Sequence, residues 1–305
     1  DPNVNIGVKI KNLSTNETIF EQNIERHYTF ASSIKFITLT CLSKYFGKDH
    51  KFASSITKSG DNYYLRVNDP NFKISDLSDL LNSFKEKAGD DFKGNFYIVE
   101  EEFSLPPIAW EKGYDDLLRC YGARIDKVHF NKNCVWMSAE PTKVGEKIKV
   151  TKSGFSPYKI QNNAITINAN KMDRLITSIK GDNFIVEGTL SQNTGPLPIA
   201  AVSNSGVDYL MLSVKKMLFE KKIKLKGKVL ITKHIPSGEI LLENSKTFKE
   251  IVDYAMRVSD NFITDYLLAE YATRENFQYW EEAASSLKKL AKKYYGVDLN
   301  SARIM

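Results

Sequence analysis

The 305 residues are 42% hydrophobic and 26% charged, an ordinary globular balance that excludes a mostly disordered chain, and the length is about two domains' worth. With 43 Lys and Arg against 37 Asp and Glu the net charge is +6, but the lysines are scattered rather than gathered among aromatics, so no nucleic-acid partner is expected. No apolar run approaches the ~18 residues of a membrane-spanning helix, so no transmembrane segment is expected.

Residues 4–11 alternate apolar and polar, 12–17 are turn-rich and 18–22 begin a return strand, which predicts a hairpin. Ile34, Phe36, Ile37, Leu39, Cys41, Leu42, Tyr45 and Phe46 then predict a largely apolar helix stopped at Gly47. From Lys51 to about Pro198 the chain reads as strand-rich and irregular. Short strands are predicted at Tyr63, Leu65 and Val67, and at 96–99, 147–150, 164–167 and 184–186. A helix is predicted over 207–219, then a hairpin of 229–232 with 240–242 around Pro236, Ser237 and Gly238. Residues 249–258, 262–271 and 276–295 predict three more helices, the last stopped by Gly296. There is no internal repeat. This order predicts an α/β chain in which one domain is interrupted by an inserted β-rich one.

Cys41, Cys120 and Cys134 are too few for a disulfide scaffold and lack metal-site spacing. His27, His50, His129 and His234 never pair on a helix with a glutamate, which argues against a zinc hydrolase, and there is no Gly-rich phosphate loop. Chemistry must therefore run on Ser, Lys, Asp or Asn. Ser32-Ser33-Ile34-Lys35 fits the Ser-x-x-Lys pattern of penicillin-interacting serine enzymes. Residues three apart share a helix face, so a lysine of depressed pKa can take the serine proton. The spelling recurs at Ser55/Lys58, Ser156/Lys159, Ser213/Lys216, Ser285/Lys288 and Ser286/Lys289. Only Ser32 follows a two-stranded start and opens an apolar helix, although it also suits a plain helix cap. Ser259-Asp260-Asn261 lies between two helical patterns and reads either as a second motif or as a polar joint that caps the next helix.

Together these segments resemble the D-alanyl-D-alanine carboxypeptidase/endopeptidase family, the class C low-molecular-mass penicillin-binding proteins. The resemblance runs from the initial hairpin to the last helix. Residues 30–38 resemble its nucleophile segment and 256–261 its second motif, with the long separation this family fills by an insertion. It implies a serine β-lactamase/transpeptidase-like domain, an antiparallel sheet flanked by helices, from 1–50 and 200–305, interrupted by a β-rich insertion over 51–199. It implies that Ser32 is the nucleophile and Lys35 its base. Ser259 would relay a proton to the leaving amine, and Asn261 would hold the substrate amide and Lys35. Residues 114–123 and 131–134 resemble the family's segment whose aspartate meets the free amino end of a diamino acid. Asp116 is the better match and Asp115 the runner-up, while solvated turn carboxylates are the plain alternative for both.

The implied substrates are peptidoglycan stem peptides, with β-lactam antibiotics as covalent inhibitors and no metal or organic cofactor. The implied location is a Gram-negative-type periplasm, the chain being a mature form without its signal peptide. In that oxidising compartment Cys120 and Cys134, which fall in one compact segment, are expected to lie close and able to bridge, and Cys41 to be a buried free thiol. The departure is the third motif. The family needs Lys-Thr-Gly after Ser-x-Asn, and nothing after Asn261 spells it. Lys58-Ser59-Gly60 and Lys152-Ser153-Gly154 precede Ser259 and read as hairpin turns. The expectation is the front part of a longer enzyme. The alternatives are a non-catalytic peptidoglycan-binding relative or a β-lactamase, although no deacylating Glu-x-x-Leu-Asn follows the second motif.

Overall fold

A computed structural model describes residues 4–89, 91–108, 112–169, 172–234 and 237–300. The chain forms two compact units, Asp1–Ile34 and Lys35–Met305. The first holds the predicted hairpin, β1 (Val8–Lys11) antiparallel to β2 (Thr18–Gln22), with Val8 opposite Gln22. Asn12 closes its turn by accepting the Ser14 N–H at 2.9 Å. A 3-10 turn, Ala31–Ser33, carries Ser32.

In the second unit, helices make one core. α1 (Ile34–Phe46) ends where Gly47 takes φ +81°, the left-handed backbone that a helix stop requires. The strands and helices up to Thr247 intervene before α5 (Phe248–Val258), α6 (Asn261–Arg274) and α7 (Trp280–Tyr295) complete this core. α6 is buried on nearly every face from Phe262 to Ala272, which makes it the central helix, and α5 and α7 pack beside it.

Residues 51–247 build the β-rich part. Its five-stranded sheet runs β15 (Val229–Thr232), β6 (Phe96–Val99), β4 (Asn62–Arg66), β3 (Lys51–Ser59), β16 (Glu239–Thr247). β3 and β4 form a hairpin at Gly60, as Lys58-Ser59-Gly60 predicts. β5 (Asp91–Phe92) and β14 (Lys224–Leu225) pair alongside as a short parallel ladder. A second sheet orders β13 (Leu197–Val202), β7 (Cys134–Glu140) and β8 (Lys149–Lys152). A third centres on β12 (Asn183–Ser191), flanked by β9 (Lys159–Asn162), β10 (Ile165–Ile167) and β11 (Arg174–Lys180). α2 (Ile74–Ala88) and α4 (Gly206–Glu220) pack against the five-stranded sheet, and α3 (Tyr114–Leu117) is a single turn. Phe84, Phe96, Phe130, Phe184 and Tyr209 share one apolar core.

Four features differ from expectation. The predicted hairpin of 229–232 with 240–242 does not form: β15 and β16 occupy opposite edges of the five-stranded sheet, separated by three strands from upstream. The middle of that turn, 235–236, lies outside the described residues. α2 fills a stretch read as irregular, because Ile74, Leu77, Leu81 and Phe84 keep helical spacing beneath a sequence rich in Ser, Asp and Asn. The β-rich part also continues past residue 199. α4 shares its core, and β15 and β16 share the sheet of β3, β4 and β6, so 206–247 is packed with 51–99. Lys152-Ser153-Gly154 is no hairpin either, since β8 pairs with β7 and β9 with β12.

One ion cluster locks β16 to the start of α2. Lys246 Nζ sits 2.6 Å from Asp69 Oδ2 and 2.9 Å from Asp76 Oδ1, both carboxylates being buried. Burial pushes the Asp69 carboxyl up while Lys246 pulls it down. Lys246→Met strands both carboxylates without their cation and is expected to cost about 3 kcal/mol, the low end for breaking a buried ion pair. Lys246→Arg should cost less. Urea unfolding midpoints of the three proteins check this.

Candidate active site

α5 and α6 meet at the Ser259-Asp260-Asn261 joint. Ser259 is the cap of α5 in left-handed backbone, φ 54°, and its conformation is held from two sides. Lys35 Nζ donates to Ser259 O at 2.9 Å and to Ser259 Oγ at 3.0 Å, a contact between residues 224 positions apart. Asp260 is the N-cap of α6. Its Oδ1 accepts the Ile263 N–H at 3.0 Å, and Thr264 Oγ1 donates to its backbone oxygen at 2.8 Å. Asn261 is the first residue of that helix. The polar-joint reading describes this segment, with Ser259 capping α5 and Asp260 capping α6, and Ser259 also accepts both hydrogen bonds from Lys35.

Lys35 is 7% exposed. Burial lowers its pKa, and the nearby carboxylates Asp265 and Asp260 raise it in part. Asp265 is one helical turn after Asn261 and pairs with Lys112 at 3.0 Å. Burial pushes the Asp265 carboxyl up, with Lys112 and Lys35 opposing. On the other side, Asp260 Oδ2 is paired with Lys132, whose Nζ also lies 5.1 Å over the Tyr254 ring.

Ser259, Asp260 and Asn261 line a cavity of about 800 Å³ with Lys132, Tyr254 and Trp136. Tyr121, Arg119, Cys120 and Cys134 also contribute to its wall. Cys120 and Cys134 are joined by a disulfide with Cα atoms 5.5 Å apart. Asp116 turns to that wall: its Oδ1 accepts the Tyr121 hydroxyl at 2.8 Å and its Oδ2 the Gly113 N–H at 3.1 Å. Gly122 permits this, since a Cβ there would lie 2.0 Å from the Asp116 carbonyl oxygen. The Asp115 side chain lies outside the described residues.

The structure thus joins Lys35 to Ser259 and sets Asn261 on the same cavity, while Asp116 engages Tyr121. Ser32 belongs to the first unit, three positions before Lys35 in the chain. Sequence reading overlooked Lys132 and Asp265. Asp265 had a signal, its helical spacing from Asn261. Lys132 had none beyond its place in the Asn131-Lys132-Asn133-Cys134 segment. Among the described residues no His, Cys, Asp and Glu cluster suits a metal ion, and no helix is long and apolar enough to cross a membrane.

A family model described as D-Ala-D-Ala carboxypeptidase 3 (S13) family matches residues 1–305. The D-alanyl-D-alanine carboxypeptidase DacB of Haemophilus influenzae is 23% identical over 296 residues, which covers 92% of this chain and 61% of the relative's own length. Penicillin binding protein 4 (dacB) of Haemophilus influenzae superposes with a TM-score of 0.78 at 19% identity, covering 98% of this chain and 69% of that one. The same protein complexed with a β-lactam gives 0.74 at 18% identity. The α/β class, with sheets flanked by helices, is borne out by this likeness of fold.

The cysteines give a direct check on the cavity wall. Cys41 is buried and free, and burial pushes its thiol pKa up. Alkylation of the native protein is therefore expected to be slow. Denaturation without reductant should expose one thiol per chain, on the Cys41 peptide, and reduction three. Three thiols before reduction would contradict the bridge.

Proposed function

Because the chain belongs to the D-Ala-D-Ala carboxypeptidase 3 (S13) family, we propose that it acts as a serine D-Ala-D-Ala carboxypeptidase and D,D-endopeptidase on peptidoglycan stem peptides. The observation that carries this reading is the pair of hydrogen bonds from Lys35 Nζ to Ser259 O and Oγ. They link the lysine of the first motif to the serine of the second, and burial biases that lysine toward the neutral form a base requires.

In this mechanism Ser32 Oγ attacks the carbonyl carbon between two D-alanines, or of a D-alanine to diamino-acid cross-link. Lys35 takes the Ser32 proton. The Ser32 N–H supplies one donor to the developing oxyanion. The tetrahedral intermediate collapses as Ser259 passes a proton to the leaving amine, and Asn261 holds the substrate amide. Water then hydrolyses the ester and regenerates Ser32. Asp116, buttressed by Tyr121, receives the amino end of the substrate's diamino-acid side chain. A β-lactam offers Ser32 the same carbonyl chemistry and remains as the stable acyl-enzyme. Such a substrate puts the protein in the periplasm, where the Cys120–Cys134 bridge is at home.

Labelling with a fluorescent penicillin, followed by digestion and peptide mapping, tests the reading. The label is expected on the peptide containing Ser32 and lost in Ser32→Ala. Lys35→Ala should slow acylation about 100- to 10,000-fold, the usual worth of general-base help. Label on another serine would overturn the assignment. Rapid release of hydrolysed penicillin would favour a β-lactamase, and unlabelled protein that sediments with peptidoglycan a non-catalytic binding relative.

A further inference from the structure

Asn131, Lys132 and Asn133 hold three consecutive left-handed conformations, φ 50°, 56° and 54°. Residues with side chains adopt such backbone at a cost, and a run of three persists only where its surroundings over-determine it. They do so here. The Asn131 N–H donates to Phe72 O at 2.9 Å and its Nδ2 to Cys134 O at 2.9 Å. Asn133, fully buried, donates from Nδ2 to Arg124 O and Asp126 Oδ2, each at 3.1 Å. The residues on either side of Lys132 are thus clamped, and its own side chain crosses to the Ser259-Asp260-Asn261 joint. There its ammonium pairs with Asp260 Oδ2 beside the Tyr254 ring.

We propose that Lys132 is a positioning residue: by holding Asp260 Oδ2 it fixes the Ser259-Asp260-Asn261 joint and keeps that carboxylate from capturing Lys35 as an ion pair. The proposal rests on the functional reading above, in which Lys35 must give up its proton. Asp260 has two oxygens and two tasks. Oδ1 caps α6 and so fixes where Asn261 starts the helix. Oδ2 sits on a side chain only 8% exposed and takes Lys132. Without Lys132 this oxygen would lack its cation, and the Asp260 carboxylate already acts electrostatically on Lys35. A lysine drawn into that pair stays protonated and leaves Ser259. Among the described residues Asp265 and Asp260 act on Lys35, and each is matched by a second lysine, Lys112 and Lys132 respectively. Lys132 is thus one of two counter-cations that let Lys35 be buried beside two carboxylates without being locked in the charged state.

The test reads Lys35 directly. In protein labelled with 13C-lysine, the Lys35 Cε signal, assigned by its loss in Lys35→Arg, is followed against pH. Lys132→Met is expected to raise the Lys35 midpoint by up to about one unit, and Lys132→Arg to restore it. Asp260→Asn keeps a good helix cap and is expected to move the midpoint the opposite way, downward. A purely structural role would not produce shifts of opposite sign. Acylation by a fluorescent penicillin is measured on the same proteins. Its rise with pH should move to higher pH in Lys132→Met and to lower pH in Asp260→Asn. Equal Lys35 midpoints in wild type and Lys132→Met, or shifts of the same sign in the two variants, would overturn the proposal while wild-type acylation stands. A wild type that is never acylated would overturn the functional reading instead, and with it the catalytic meaning of Lys132. Should Lys132→Met fail to fold, Asp260→Asn and Lys132→Arg still decide, because an unshifted midpoint in Asp260→Asn contradicts the coupling.

Discussion

A buried ammonium that must touch a serine 224 residues away is the constraint on which the rest of the second unit depends. Lys35 is set by α1 and Ser259 by the end of α5, so these helices have to be neighbours although the whole β-rich part lies between them in the chain. Closing so long a flexible loop costs entropy that grows only as the logarithm of its length, about 5 kcal/mol for a couple of hundred residues. Strand pairing removes most of that freedom. β3 leaves the helical core and β16 returns to it, and the two are paired from Thr247 opposite Lys51 to Glu239 opposite Lys58. The pairing continues into the helices, with the Phe248 N–H on His50 O at 2.7 Å and the Lys249 N–H on Lys48 O at 3.0 Å. The β-rich part thus departs and returns at one point. The helices meet as though joined by a short turn.

Electrostatics then sets what that meeting can do. An ammonium in a dry site without carboxylates would lose its proton outright, whereas one held by a carboxylate alone would keep it. Lys112, Asp265, Lys35, Asp260 and Lys132 alternate in sign along the network of contacts and nearby charges. Burial lowers the Lys35 pKa, the two carboxylates oppose that, and the outer lysines temper the carboxylates. This balance is a property of five side chains from separate parts of the chain, so no local segment carries it.

That is also why only part of the site was legible. Ser32, Lys35, Ser259 and Asn261 lie in short patterns whose residue types are dictated by local chemistry, and α1, α4, α5 and α6 followed from apolar spacing. What failed was non-local. The strands 229–232 and 240–242 looked like a hairpin because proximity in sequence is the only pairing cue there. Parallel pairing of β15 with β6 and antiparallel pairing of β16 with β3 leave no such cue. The boundary at 199 fell where strand patterns gave way to a helix, yet α4 buries Tyr209, Leu210 and Val214 in the same core as the strands before it. Lys132 was invisible for a different reason. Nothing in Asn-Lys-Asn announces three left-handed residues, and the direction of a side chain follows from that backbone.

The cavity wall reveals what kind of stability the site relies on. The Cys120–Cys134 bridge joins two short 3-10 turns, one carrying Tyr121 and the other Lys132. Neither turn is long enough to hold a side chain by its own hydrogen bonds, and each is defined instead by covalent and polar fixings: the bridge, Gly122 against the Asp116 backbone, and buried Asn133. Such devices act over one or two residues, so they place a hydroxyl or an ammonium closely without a large apolar core beneath it. Tyr121 on Asp116 and Lys132 on Asp260 then face one cavity from opposite ends of a single covalent link. The turn that carries Tyr121 and the turn that carries Lys132 are therefore tied covalently, and the bridge fixes the two against each other where they line the cavity.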